Sequence, residues 1–151
     1  MTLVSNPNSM RPLTPPISGA TLTATYADNT LTVDLTSRND PKIDLTDKFG
    51  KIMLYITYTL AGGQTNNDLN IKVESGNSDD SLFGLTTISV GSGVGTITET
   101  SLKFTGADAV APYKIAVPID ILDRITKFSF KETNSTVFSL LSVDYIVIAH
   151  N

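Results

Sequence analysis

The stretch from Val137 to Ala149, VFSLLSVDYIVIA, decides the fold class of this 151-residue chain. It is rich in β-branched and aromatic residues and contains neither Gly nor Pro, so it predicts one long β-strand. Side chains alternate along a strand, which places Val143 and Val147 on one face and Ile146 and Ile148 on the other. Both faces are largely apolar, and we therefore expect this strand to be covered on both sides.

Other stretches of the chain show the same strand-like pattern, separated by polar or glycine-containing turns. They are Thr21–Tyr26, Leu31–Leu35, Lys51–Leu60, Asp68–Glu74, Leu85–Val90, Thr96–Thr105, Tyr113–Val117 and Thr126–Glu132. About eight or nine short strands with no long helix predict an all-β fold, an antiparallel β-sandwich of jelly-roll or Greek-key type.

Three local features are predicted between these strands. The turn Ala27–Thr30 predicts a hairpin between the first two stretches, and Thr133–Ser135 predicts a hairpin between the last stretch and the final strand. Pro118–Arg124 is predicted as a short helical turn.

Residues 1–19 differ in composition from the rest of the chain. They hold four of its seven prolines, which favour extended conformations. They also carry apolar residues, which indicates that the segment docks on its own domain or on a neighbour. The sequence thus predicts an extended N-terminal arm, 1–19, followed by a sandwich domain, 20–151. The residues predicted to form an interface are Leu3, Val4, Met10, Leu13 and Ile17 in the arm and Ile146 and Ile148 in the last strand.

Charge and composition argue against several classes of function. The net charge is −4 and the pI about 4.7, which disfavours nucleic-acid binding because that requires clustered Lys or Arg. The chain has no cysteine and therefore no disulfide, thiol nucleophile or thiolate metal site. No apolar run reaches the roughly 20 residues that span a bilayer. The N-terminus does not resemble a secretory signal, so we expect a soluble protein made in a host cytoplasm.

Few residues are suited to catalysis. The one histidine, His150, is next to last in the chain, so Ser-His-Asp and Cys-His arrangements are excluded. The glycine-rich stretch Gly91–Gly95 lacks the Lys-Ser/Thr of a phosphate loop and reads as a turn. The three glutamates, Glu74, Glu99 and Glu132, show no paired-carboxylate pattern. We predict no catalytic residue, no cofactor and no enzymatic activity.

Two kinds of ligand remain open. Asn and Asp crowd the regions 66–68 and 77–80, which could supply oxygen ligands to calcium, although such clusters are ordinary turn formers and no metal site is predicted. Sugar binding would use the loops Ala61–Asn67, Ser75–Gly84 and Gly106–Pro112. Phe83 is the aromatic candidate there, and its favoured interpretation is a buried anchor of its loop.

The C-terminal quarter of the chain reads AVPIDILDRITKFSFKETNSTVFSLLSVDYIVIA from Ala116 to Ala149. This resembles the C-terminal half of jelly-roll domains of the galactose-binding and carbohydrate-binding-module type. There a strand and a short turn lead to an I-x-K-F-x-F edge and then to a closing V-D-Y-I-V-I strand. Ile43–Leu45 followed by Lys51–Thr57 resembles the early strands of the same domains. The resemblance implies the fold and a carbohydrate-binding or adhesin function.

The overall character of the chain resembles a second group of proteins. It is small, acidic, free of cysteine, rich in Thr, and carries a Pro-rich N-terminal arm, as do capsid decoration and auxiliary proteins of tailed phages. This resemblance implies a non-enzymatic virion protein, most simply a trimer on the head surface that contacts the major capsid protein. A tail, baseplate or collar location is equally compatible with the sequence.

Overall fold

The computed structural model describes residues 3–6, 9–36, 48–59, 68–78, 81–84, 99–103, 112–133 and 139–150, and these are almost entirely β-structure. The strands are β1 (Leu3–Asn6), β2 (Ser9–Pro12), β3 (Ile17–Thr21), β4 (Thr30–Asp34), β5 (Phe49–Thr59), β6 (Asp68–Gly76), β7 (Phe83–Gly84), β8 (Glu99–Lys103), β9 (Pro112–Asp120), β10 (Ile125–Thr133) and β11 (Leu140–Ala149). A single 3₁₀ turn, Tyr26–Asp28, lies between β3 and β4. The prediction of an all-β fold is confirmed.

The strands form two antiparallel sheets. Sheet A has the order β1-β2-β11-β5-β9, with β3 also paired to β11, and sheet B has the order β4-β10-β6-β7, with β8 also paired to β6. The eight strands other than β1, β2 and β7, numbered along the chain, follow the order 1-8-3-6 in sheet A and 2-7-4-5 in sheet B. This is the strand order of a jelly roll, and the predicted jelly-roll sandwich is confirmed.

Both predicted hairpins are wrong, and the topology gives the reason. In a jelly roll most connections between consecutive strands cross from one sheet to the other. β3 lies in sheet A while β4 pairs with β10 in sheet B, and β10 in turn lies in the opposite sheet from β11. Alternation in the sequence locates each strand, but it does not reveal which strand is the partner.

Two other local predictions have different outcomes. The helical turn predicted at Pro118–Arg124 is wrong, because β9 continues through Pro118 to Asp120 and residues 121–124 are not helical. The predicted strand Leu85–Val90 and the loop Ala61–Asn67 lie outside the described residues.

The core fills the space between the two sheets. Every second residue of the long strands faces it, so that β5 buries Ile52, Leu54, Ile56 and Tyr58 while Tyr55 is 44% exposed. Sheet B and β11 contribute the other large buried side chains, which include Leu31, Val33, Leu69, Ile71, Val73, Phe128, Phe130, Leu141, Val143, Tyr145 and Val147. Of the two apolar faces of β11, the one that carries Val143, Tyr145 and Val147 thus faces the core.

One acidic side chain is buried within this apolar core. Glu132 of β10 is 0% exposed. Its Oε1 atom accepts hydrogen bonds from the Tyr58 hydroxyl, at 2.5 Å, and from the Ser139 hydroxyl, at 2.5 Å. Its Oε2 atom accepts the Ser139 N–H at 2.9 Å. Because Tyr58 lies in sheet A and Ser139 leads into β11, the carboxyl group of Glu132 joins the two sheets.

Backbone hydrogen bonds close the crossings between the sheets near this carboxyl group. The N–H of Leu22 donates to Ser139 O at 2.8 Å, and the next carbonyl, Thr23 O, accepts the N–H of Glu132 at 2.9 Å. The connection from β3 to β4 is therefore bonded to sheet A through one residue and to sheet B through the next. Leu22 itself is fully buried between them.

We predict that Tyr58→Phe lowers the free energy of unfolding by about 1–3 kcal/mol, because a buried oxygen of Glu132 loses a donor while the packing volume is nearly unchanged. Urea denaturation measures this directly. Tyr55→Phe on the outer face of the same strand is the matched control and should change stability by less than about 0.5 kcal/mol. Equal effects of Tyr58→Phe and Tyr55→Phe would show that the hydrogen bond from the Tyr58 hydroxyl to Glu132 does not join the sheets.

Candidate functional site

The predicted N-terminal arm begins with a short β-hairpin. β1 pairs antiparallel with β2, with Leu3 opposite Pro12 and Val4 opposite Arg11. β2 in turn pairs with the end of β11. We name β1 and β2 together, Leu3–Pro12, the N-terminal hairpin. It widens sheet A by two strands beyond β11.

The rest of the predicted arm is bound to the body of the sandwich. Ile17 is 7% exposed and belongs to the core, and Met10 packs against the core while partly exposed. The predicted boundary between residues 19 and 20 falls inside β3. At this point Gly19 adopts a positive φ of 59°, and its N–H donates to Ser142 Oγ of β11 at 2.8 Å.

Leu13 lies between β2 and β3, in a segment that leaves the sheet. It is 64% exposed, unlike the neighbouring Pro12, which is buried. We name residues Leu13–Pro16 the connector. Of the large apolar side chains of the arm whose burial the structure describes, Leu13 is turned to solvent and Met10 and Ile17 face the core.

The outward face of β11 belongs to a larger apolar surface. Ile146 pairs with Met53 of β5, and Met53 pairs with Pro118 of β9, so these three side chains form a row across sheet A. The next row contains Asp144, Tyr55 and Ala116. We name the outward side of these three strands the outer face; its apolar residues are Met53, Tyr55, Ala116, Pro118, Ile146 and Ile148.

Charged side chains border this surface on two sides, with Asp144 on one and the pair Lys51 and Asp120 on the other. Ile148 pairs with Lys51, and the Lys51 Nζ atom lies 3.8 Å from Asp120 Oδ1 of β9. Both partners of this ion pair are exposed, so it contributes little to stability. An apolar centre with a charged border is the composition expected of a protein–protein contact.

The structure therefore brings only part of the predicted interface to one surface. Ile146 and Ile148 lie on the outer face, half-buried by their neighbours, while Leu13 projects from the connector at the edge of the same sheet. Met53 and Pro118, which share the row of Ile146, were not predicted. Alternation along β5 indicated that Met53 faces away from the core, but its place beside Ile146 depends on the strand register.

The outer side of sheet B has a different character. The Lys131 Nζ atom lies 4.4 Å from the centre of the Tyr26 ring, a cation–π distance. Lys72 Nζ lies 2.7 Å from Glu74 Oε1 on the same side of β6. Polar and charged groups on this side are the usual composition of a solvated sheet, in contrast with the outer face of sheet A.

The loops predicted to bind sugar lie at two ends of the molecule. β5 ends and β6 begins at the end of the sandwich where β8 ends and β9 begins, and residues 60–67 and 104–111 connect these strands. The turn after Gly76 lies at the other end of β6, about 26 Å away at 3.3 Å per residue. Residues 61–67 and 106–111 of the predicted sugar site lie outside the described residues, so that site stays a prediction.

Phe83, in the predicted loop Ser75–Gly84, is an exposed aromatic residue. It is 74% exposed, so its interpretation as a buried anchor is wrong. β7 pairs with the end of β6 through Phe83 and Gly84. The turn before it is tight: a Cβ atom on Gly76 would lie 2.0 Å from the carbonyl oxygen of Ser81. Phe83 is therefore exposed at the edge of sheet B.

The polar residues considered for catalysis or metal binding are dispersed. No group of three or more His, Asp or Glu side chains comes together in the described parts of the chain. Residues 79–80 and 66–67, from the Asn- and Asp-rich regions, lie outside them. The ring of His150 lies against Gly50, where an added Cβ would be 2.6 Å from its Nδ1 atom.

The carboxylate of Asp28 has a local structural role. Its Oδ2 atom accepts hydrogen bonds from the hydroxyls of Thr23, at 2.6 Å, and Thr25, at 2.9 Å. These bonds, that of Thr23 first, lower the pKa of Asp28 below the ordinary value of an aspartate. They fix the 3₁₀ turn in the connection between the sheets.

Comparisons with known proteins give no family. No protein-family model matches the chain, and no curated protein matches it. Among solved structures, the crystal structure of dimeric latent PorU from Porphyromonas gingivalis aligns with 88% of this chain at 11% identity and a TM-score of 0.41. The chain spans 11% of that protein's length. Among the residues described here, no helix has the length and apolar character needed to cross a membrane.

We predict that the protein self-associates through the outer face and that Ile146→Lys weakens this association about tenfold or more, because it places a charge at the centre of the outer face. The side chain is half-exposed, so the free energy of unfolding should change by less than about 1 kcal/mol. Sedimentation velocity over a concentration series measures the association. Thr32→Lys, on the exposed side of sheet B, is the matched control and should leave it unchanged. An effect of the control equal to that of Ile146→Lys would contradict a specific role for the outer face.

Proposed function

We propose that this protein is a non-enzymatic structural component of a phage virion, most simply a decoration protein on the head surface. The observation that carries the proposal is the apolar outer face of sheet A, which lies beside the N-terminal hairpin. The role is mechanical: the protein stabilises the particle through contacts with other copies and with the major capsid protein.

The contrast between the two sheets supports a structural role. Sheet B turns lysines and Glu74 to solvent, whereas sheet A turns Met53, Pro118 and Ile146 outward in a single row. Burying such side chains contributes roughly 25 cal/mol per Å² of apolar area. A sheet with apolar residues on both sides is covered on both sides in a stable assembly.

The jelly-roll fold is consistent with the proposal but does not decide it. This fold occurs in viral capsid proteins and also in lectins, so the strand order alone favours neither use. Its value for a decoration protein is rigidity, because most connections cross between the sheets and tie them together. In a particle, many weak contacts by identical copies add up through multivalency.

A trimer at the junctions between capsomers is the assembly we propose. The outer face of one copy contacts its neighbour, while the N-terminal hairpin and Leu13 reach the adjacent subunit or the capsid floor. The protein is made in the host cytoplasm and resides in the virion. It needs no cofactor, metal ion, nucleic acid or membrane for this role.

We predict that deletion of residues 1–12 lowers binding to the particle about tenfold or more while the sandwich stays folded, because the core residues Ile17 and Leu22 are retained. The assay is co-sedimentation with phage heads assembled without this protein. Circular dichroism of the truncated chain is the control for folding. Undiminished binding of the truncated, folded chain would contradict the proposed role of the hairpin.

A second function is favoured by one observation, the outward display of Phe83. An exposed aromatic ring held by a tight turn could stack on a sugar, as in a carbohydrate-binding module or adhesin domain. We expect a glycan array to show no binding. Binding that is lost on Phe83→Ala would overturn the virion proposal in favour of this one.

A further inference from the structure

We propose that the N-terminal hairpin is an exchangeable element, which leaves the edge of its own β11 and pairs with β11 of a second copy of the chain. The inference deepens the proposed function and rests on it in one respect, that copies stand side by side in the assembly. The occupant is the N-terminal hairpin, and the surface that receives it is the edge of β11 in the second copy.

The hairpin is held to the sandwich by few contacts. Two residue pairs join β2 to β11, namely Met10 with Val147 and Ser9 with Ile148. By contrast, ten residue pairs join β11 to β5 on its other side. An isolated two-stranded hairpin is marginally stable, and elements with few buried contacts open at low cost in free energy. The hairpin can therefore detach far more easily than β5.

Detachment of the hairpin leaves the main core closed. Met10 is only partly buried, and Pro12 is the other side chain of β2 that is turned inward. Ile17 and Leu22 follow the connector and remain in place, with the Leu22 N–H bonded to Ser139 O at 2.8 Å. The jelly roll therefore stays intact from β3 onward.

The connector contains more chain than the sheet needs. Met10 lies opposite Val147 and Ile17 lies opposite Val143, so seven steps along the N-terminal segment face four steps along β11. The four-residue connector, which includes the exposed Leu13, takes up this surplus of three residues. The two strands that flank the connector, β2 and β3, pair with the same edge of β11. When the hairpin stays on its own chain, the connector must therefore loop out of the sheet.

The sequence of the connector favours a straighter path. Pro15 and Pro16 restrict the backbone to extended and polyproline conformations, and Pro15 imposes the same preference on Thr14 before it. When extended, four residues span about 13 Å, enough to carry the hairpin across a subunit boundary. After exchange the connector no longer loops out of the sheet. The hairpin then forms with β11 of a second copy the same strand pairing that it forms in its own chain.

The edge of β11 that β2 leaves is suited to the hairpin of a second copy. Without β2, the backbone of β11 from Tyr145 to Ile148 presents an unpaired strand edge, which is a template for another strand. Val147 lies there on the inward side and is covered in part by Met10. A second copy supplies the same hairpin with the same alternation of side chains. Exchange between identical copies therefore requires no new complementarity.

The test uses cysteines introduced into a chain that has none. Met10→Cys in one preparation and Val147→Cys in another, distinguished by their tags, are mixed over a range of concentrations and oxidised. Residues opposite each other in an antiparallel pair have Cα atoms about 4.5–5.5 Å apart, within the range of a disulfide. We expect a disulfide-linked dimer that carries both tags and that increases with concentration.

Two controls make the result specific. Leu141→Cys replaces Val147→Cys in a parallel mixture, because Leu141 is equally buried on β11 but pairs with Ala20 of β3. It should give no linked dimer. Met10→Cys and Val147→Cys in the same chain should close within that chain and confirm the register. Pro15→Gly with Pro16→Gly should lower the exchanged fraction about fivefold or more, since a flexible connector loses its extended bias.

Each outcome decides the inference. A mixed dimer with Val147→Cys and none with Leu141→Cys supports exchange. No mixed dimer at any concentration, equal dimers with both partners, or failure of the double variant to close within one chain would overturn it. The variant that carries both Met10→Cys and Val147→Cys, with its disulfide closed within one chain, separates the two proposals in a particle-binding assay. Binding without exchange overturns the inference alone. Exchange without particle binding overturns the proposed function.

Discussion

The buried carboxyl group of Glu132 is the interaction on which the arrangement of the two sheets depends. It accepts hydrogen bonds from Tyr58 of sheet A and from the hydroxyl and N–H of Ser139, while its own strand lies in sheet B. A fully buried polar group is costly unless its bonds are made, so this site tolerates only one mutual position of the sheets. Apolar packing alone would permit many mutual positions of the two sheets.

The hydrogen bonds of Glu132 fix the two sheets to each other at one end of the sandwich. The edge strands of sheet A are not needed for this and are available for contacts with other molecules. The core extends from Ile17 to Val147 and needs little from the N-terminal hairpin, which is bonded to β11 by two residue pairs. The outer face is likewise independent of the core, because its side chains point away from it. The fold thus separates the groups that maintain the sandwich from those available for assembly.

The sequence predicts strands better than it predicts their partners. Alternation correctly placed Tyr58 and Tyr55 on opposite faces of one strand, but it could not show that β3 and β4 lie in different sheets, because pairing depends on contacts distant in sequence. The burial of Glu132 was missed, although its spacing from Phe128 and Phe130 places it on the same inward face. The exposure of Phe83 had no local signal, since a two-residue strand shows no period. The row formed by Met53, Pro118 and Ile146 requires the register of three strands, which no single stretch encodes.

The molar mass of the unmodified chain in solution tests the central claim, that this jelly roll acts by assembly through sheet A. Multi-angle light scattering across a wide concentration range measures it without any partner protein. The account predicts a stable species of three chains, each of 16.2 kDa. A mass of one chain at every concentration would contradict it.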